Sequence, residues 1–173
     1  MENEQIKKLS IVSPKVLLGI KFIALLGIAL LAPLAQNQII TGTIVNAVLL
    51  LSVFILGLRG AAAIAFFPSV ISLGLGLLPG VMAPMVPFII TGNLIFVSVF
   101  AAVKNKNYWL GAISASVLKF VWLFVASQLV ISLFIQKPIV AKIVAMMSWP
   151  QLLTALLAGI VVYFIFQTRV KSK

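Results

Sequence analysis

The sequence contains no cysteine, no histidine and no aspartate, and its only two acids, Glu2 and Glu4, stand in the first four residues. Without Cys or His there are no disulfides, no thiolate or imidazole metal sites, and no thiol or imidazole catalysis. Without acids beyond residue 4 there are no intramembrane carboxylates of the kind that proton- and sodium-driven carriers rely on. Charge of either sign is scarce: 9% of residues carry one, against 63% drawn from the hydrophobic set. A soluble domain of this size leaves roughly 30% of its chain surface in water, and this composition supplies far too little polar surface to cover it. Lipid is the solvent that fits.

What is present follows from that solvent. From about Val16 to Gln167 the chain is a series of long apolar runs broken by short polar or proline-bearing turns, one membrane domain with no soluble one. The division expected is a cytoplasmic tail over 1–14, a transmembrane domain over 15–168, and a basic cytoplasmic end over 169–173. The net charge of +11 would point to nucleic acid in a soluble protein. Here the basic residues fall mostly at helix ends, where they set orientation and meet anionic lipid, so no nucleic-acid partner is expected. Lys7, Lys8 and Lys15 look like the n-region of a signal peptide, but Lys21 interrupts the apolar region and further spans follow. The first run is therefore read as a retained helix.

Six spans are expected, an all-α bundle: Val16–Ala35, Ile39–Leu58, Ala61–Leu78, Phe88–Val103, Tyr108–Phe134 and Pro150–Gln167. Pro33 and Gln36-Asn37-Gln38 stop the first, and Arg59-Gly60 stops the second. The third carries Pro68 and the pair Gly74/Gly76, so it should bend or approach a neighbour. An uncharged turn holding Pro79, Pro84 and Pro87 precedes the fourth. A short interfacial stretch after Gln136-Lys137-Pro138 leads to the sixth.

With the N-terminus inside, nine basic residues are cytoplasmic (Lys7, Lys8, Lys15, Arg59, Lys104, Lys106, Arg169, Lys171 and Lys173) and two, Lys137 and Lys142, are outside. That asymmetry places both ends in the cytoplasm of a multi-pass plasma-membrane protein. The outer turns are nearly uncharged and hold Gln36, Asn37, Gln38, Thr41, Gly42 and Trp149-Pro150-Gln151, a natural roof for a ligand pocket.

Lys119 is the residue with the most to say. It lies near the middle of the fifth span, where a lysine costs on the order of 2.5–3.5 kcal/mol on insertion scales, and no acid in the membrane part offsets it. It is met by backbone carbonyls and waters, snorkels to the inner face, stays a neutral amine, contacts another subunit, or binds an anionic ligand; an intramembrane ionisable residue is by default a functional candidate. Lys21 is only one to two turns inside the first span and is read as snorkelling. Asn46 and Asn93 sit in the outer halves of two spans that run inward, where an amide bonds a neighbouring helix or lines a cavity. Ile-Ile-Thr-Gly occurs at Ile39–Gly42 and again at Ile89–Gly92, so matched Thr-Gly entrances are one possible origin of a shared site. Trp122 lies one turn beyond Lys119 on the same helix face, and Gln128 and Gln151 are lesser candidates. Trp109 and Trp149 fall at interfaces and are read as anchors. Gly111/Ala115 and Ala112/Ser116 imply close helix packing.

On these features the chain resembles the substrate-binding S components of energy-coupling factor transporters: six spans in fewer than 180 residues, a basic tail before a Gly- and Ala-containing first helix, and the stretch Leu78-Pro79-Gly80…Pro84…Pro87-Phe88…Gly92-Asn93. The resemblance implies a small membrane receptor that captures a vitamin-like micronutrient from outside at high affinity. It passes the solute to a transmembrane coupling subunit driven by a pair of cytoplasmic ATPases. It also implies that the first outer loop, Gln36–Thr43, roofs the site, and that small residues on the first helix dock the coupling subunit. Where the family shows Ala-x-x-x-Ala, this chain has Ala24, Gly27, Ala29 and Ala32 at mixed spacing. The nickel and cobalt branches use N-terminal histidines, which this chain lacks.

The residues themselves add that no Gly-x-x-x-x-Gly-Lys-Ser/Thr loop is present, so uphill transport would draw energy from a partner. The expectation is thus a non-enzymatic solute-binding subunit without cofactor or metal. Its site is formed by Asn46, Asn93, Lys119, Trp122 and Gln128 beneath a lid of Gln36, Asn37, Gln38 and Thr41, favours an anionic or carbonyl-bearing solute, and docks through Ala24, Gly27 and Ala29. Two rivals stand beside it. One is an accessory subunit using Lys119 as a docking charge; the other is an intramembrane enzyme using Ser116 and Lys119, three residues apart on one face, as nucleophile and base.

Overall fold

A computed structural model describes residues 13–78, 80–133 and 144–170. The tail over 1–12, Pro79, the stretch 134–143 with Lys137 and Lys142, and the basic end over 171–173 lie outside the described residues.

The described residues hold six long helices. Ser13 starts α1 (Pro14–Leu31): its hydroxyl accepts from Val16 N at 3.3 Å and Pro14 occupies the first turn, where its missing N–H is no loss. Pro33 then tightens the chain into a 3₁₀ turn, Ala32–Ala35, closed by Gln36 in the left-handed region at φ 50°. Asn37 caps α2 (Gln38–Ile55) by accepting from Ile39 N at 2.9 Å and Ile40 N at 3.2 Å. Gly57, at φ +71°, turns the chain into α3 (Gly57–Gly74). The break expected at Arg59-Gly60 thus comes earlier, because Gly57 adopts the left-handed conformation while Gly60 stays helical. Gly76, at φ +70°, ends α3, with Leu77 N and Leu78 N both donating to Ser72 O. Neither Gly74 nor Gly76 has a neighbour where a Cβ would stand, so their role is termination and not close approach.

The proline-rich turn becomes a second 3₁₀ segment, Gly80–Met85, leading into α4 (Val86–Val103). Asn107 caps α5 (Tyr108–Leu133) by accepting from Leu110 N at 3.0 Å. The last helix, α6, spans Trp149–Val170. All six are long and apolar enough to cross a bilayer.

The helices form one bundle with α2 at its centre, touching α1, α3, α4 and α6, while α5 closes the far side against α4 and α6. Phe96, Phe100, Leu49, Leu50 and Ile64 fill the middle without exposure. Phe54 meets Phe100, Tyr108 and Phe166 at one end of the bundle. The outward surface is apolar: Ile23, Leu31, Val125 and Phe164 are each at least half exposed. In water such a belt would drive aggregation; in lipid it is the required exterior. Small residues permit the closest crossings, as expected for Gly111 and Ala112. A Cβ on Gly111 would lie 3.1 Å from Lys104 N, and one on Gly159 would lie 3.3 Å from Ala112 Cβ. α1 is the least embedded helix, burying only Leu25 and Ala29.

Candidate functional site

A cavity of about 350 Å³ opens between the helices at the end of the bundle where α2 and α6 begin. Its mouth carries Gln36, Asn37, Gln38, Thr41 and Gln151, and its deeper wall carries Asn46, Asn93 and Lys119. Between them the lining is largely apolar, with Ala29, Pro33, Val45, Pro68 and Ile89. Asn46 lies roughly 12 Å below Gln38 along α2, at ~1.5 Å rise per residue.

Lys119 is the centre of this wall. It is 3% exposed, and its Nζ donates to Asn46 Oδ1 at 2.6 Å and to Asn93 Oδ1 at 2.7 Å. The Phe96 ring centroid lies 5.2 Å from the same nitrogen, within range of a cation–π contact. Both amides are held oxygen-first toward the lysine by what their nitrogens do. Asn93 Nδ2 donates to the Ala65 carbonyl at 3.4 Å, and a carbonyl can only accept. Asn46 Nδ2 donates to Thr154 Oγ1 at 3.2 Å, whose hydroxyl donates onward to Gln151 O at 3.2 Å. One chain of hydrogen bonds thereby ties α2, α3, α4, α5 and α6 together at Lys119. In a low-dielectric interior such linked bonds polarise and reinforce one another.

No acid approaches Lys119 among the described residues; every acceptor it meets is neutral. An ammonium has three N–H donors, of which the two asparagines take two, and the residue borders the cavity.

The mouth is stapled by two glutamines. Gln38 Nε2 and Gln151 Nε2 both donate to Met146 O, at 2.8 and 3.0 Å, fastening the starts of α2 and α6 to the segment before α6. Thr41 Oγ1 donates to Ala32 O at 3.0 Å, tying the 3₁₀ turn to α2. Of the lid residues, Gln36 and Asn37 are exposed, and the Asn37 oxygen is spent on the α2 cap.

The structure therefore brings Asn46, Asn93 and Lys119 to one point and sets Gln36, Asn37, Gln38 and Thr41 above it. It does not bring Trp122 or Gln128 there. Trp122 turns toward α4, donating from Nε1 to Phe88 O at 2.9 Å, while Gln128 is exposed on the outside of α5. The two Thr-Gly entrances also differ. Thr41 lines the cavity, whereas Thr91 is outside its lining and donates back to Pro87 O at 2.9 Å. Gly42 lines the cavity as well and Gly92 does not, while both sit at close helix contacts: a Cβ on Gly42 would stand 2.9 Å from Thr154, and one on Gly92 would stand 3.2 Å from Trp122. On α1, Ala24 is exposed and Gly27 has open space beside it, but Ala29 is 1% exposed and faces the cavity. Those three do not form one outward face.

Thr154 and the Ala65 carbonyl belong to the network and were not legible in advance. Thr154 reads as one more hydroxyl in an apolar helix, and a backbone carbonyl has no sequence signature. Lys119 lies inside the bundle and not on its lipid face. Ser116 donates to Ala112 O at 2.7 Å and lies outside the cavity lining.

Six apolar spans packed around an internal polar cluster define a multi-pass membrane protein with a buried lysine beside a cavity. The chain matches no protein-family model, no curated protein and no solved structure at a significant level.

Proposed function

We propose that this chain is the solute-binding subunit of an ATP-driven importer, in the plasma membrane with both ends in the cytoplasm, taking a small anionic or carbonyl-bearing solute into the cavity above Lys119. The observation that carries this reading is a fully enclosed lysine, oriented by two neutral amides, on the wall of a cavity of about 350 Å³. A buried ammonium with only neutral acceptors is under-compensated, and a ligand acid or carbonyl is the group that completes it. The cavity is at the small end of the ~300–1,000 Å³ range of ligand sites, and its mixture of apolar walls with few polar anchors suits a metabolite-sized solute. The positive-inside asymmetry supports a mouth on the outer face, where a receptor meets its solute.

The importer assignment draws on the resemblance to energy-coupling factor S components and on the missing phosphate-binding loop, which leaves energy input to partner ATPases. Purification of the tagged protein from its own host in mild detergent tests it. The expected companions are two ATPases and one larger membrane subunit. Stoichiometric recovery with an unrelated membrane enzyme would instead favour an accessory role.

A further inference from the structure

A second cavity lies at the other end of the bundle and takes no part in the reading above. It has a volume of about 490 Å³ and is bounded by Lys15, Leu18, Gly19 and Phe22 of α1 and by Leu56, Arg59 and Gly60 around the α2–α3 turn. Two cations from different helices thus share one groove. Lys15 and Arg59 are both exposed, and neither has a hydrogen-bond or ion-pair partner among the described residues. Lys104 at the same end is different: its Nζ donates to Asn105 Oδ1 at 2.9 Å and stands 4.9 Å over the Phe54 ring. Lys104 is satisfied within the protein, while Lys15 and Arg59 have no such contact among the described residues.

The groove has two zones. Lys15 sits in the first turn of α1 and Arg59 in the first turn of α3, which begins without a side-chain cap, so the positive ends of two helix dipoles add to the two side chains. Deeper along α1 the wall turns apolar with Leu18 and Phe22. Gly19 has open space beside it, since a Cβ there would meet nothing within 4 Å. Cations at the level of the membrane interface above an apolar slot match an anionic headgroup above its acyl carbons.

We infer that this groove is a binding site for one anionic phospholipid, its phosphate held between Lys15 and Arg59 and its upper acyl carbons lying on Leu18 and Phe22. Charge complementarity selects the headgroup, and the apolar floor selects a lipid over a soluble phosphate. The lipid would join α1, the least embedded helix, to the α2–α3 turn.

The test is native mass spectrometry of the full chain released from nanodiscs of equal parts phosphatidylglycerol and phosphatidylcholine. The wild-type protein should keep one phosphatidylglycerol in preference to phosphatidylcholine. The double variant Lys15→Ala/Arg59→Ala should lose that lipid by roughly tenfold or more, because each basic residue at the surface attracts an anionic headgroup. Lys21→Ala/Lys106→Ala removes the same charge from other exposed positions and should keep it. Gly19→Leu leaves both cations in place, suits a helix better than glycine, and fills the slot; it should also lose the lipid. Retention by both Lys15→Ala/Arg59→Ala and Gly19→Leu would overturn the proposal. Equal loss in Lys21→Ala/Lys106→Ala would reduce the effect to net charge and overturn it as well.

Discussion

Lys119 makes one distinction that a neutral pocket would not. Asn46 and Asn93 orient it but supply no charge, so an acid introduced at either position would compete with the proposed solute. The two positions differ in what their second atom meets. At Asn46 that partner is a hydroxyl, Thr154 Oγ1, which can rotate to donate. At Asn93 it is the Ala65 carbonyl, which cannot. Asn46→Asp is therefore predicted to fold, to pair with Lys119, and to weaken solute binding about tenfold or more, roughly 1.4 kcal/mol. Asn93→Asp sets a carboxylate oxygen against a carbonyl and is predicted to lower the melting temperature in detergent as well. Equal stability of the two variants would contradict the hydrogen-bond directions described.

Thr43 offers a separate check on packing. Its Oγ1 is buried with no partner among the described residues, and a buried unsatisfied hydroxyl costs about 1–3 kcal/mol. Thr43→Val keeps the shape and removes the unmet group, so the protein should unfold at the same or a higher temperature. A clear loss of stability would mean that the hydroxyl is satisfied after all.

Among helices, the crossings of α2 with α6 and of α4 with α5 turn on glycine. Gly42→Ala would place a methyl 2.9 Å from Thr154, the residue that orients Asn46, while Gly92→Ala would meet Trp122 and Leu123 at 3.2–3.3 Å. Overpacking of this kind costs about 1–3 kcal/mol. Both variants should be less stable in thermal unfolding, and Gly42→Ala should also weaken solute binding because it displaces the Asn46 support. If the two lose stability without any difference in binding, Thr154 does not transmit the strain to the site.

The helices were the most legible part of the molecule. Runs bounded by Pro33, Lys104-Asn105-Lys106 and Trp149-Pro150 gave spans within a few residues of those observed, because apolar length and breakers act locally. The α2–α3 boundary shifted by a few residues, since only one of Gly57 and Gly60 takes positive φ and sequence cannot say which. Site residues divided by the same logic. Lys119, Asn46 and Asn93 stand out as polar groups that lipid will not tolerate, so burial together follows from chemistry. Trp122 and Gln128 were placed by position along a helix, but the side of α5 they occupy depends on how the helices pack. Thr154 was hidden because a hydroxyl can return its proton to its own helix and needs no partner.

For the molecule as a whole, the open question is which end of the bundle faces which side. The absence of cysteine makes the answer accessible: Gln36→Cys and Asn105→Cys place single thiols at exposed positions of opposite ends. A membrane-impermeant maleimide applied to intact cells should label Gln36→Cys and leave Asn105→Cys unmodified until the membrane is opened. The reverse pattern would turn the cavity mouth toward the cytoplasm and remove the basis for import.

The most direct test of the central claim concerns what Lys119 holds. Wild-type protein and Lys119→Met, purified from the host, are denatured and the released small molecules identified by mass spectrometry. The wild type should release a solute bearing an acid or carbonyl group that Lys119→Met does not retain, while Ser116→Ala keeps it. The same solute at the same occupancy in Lys119→Met, or a wild-type solute with neither group, would contradict the account.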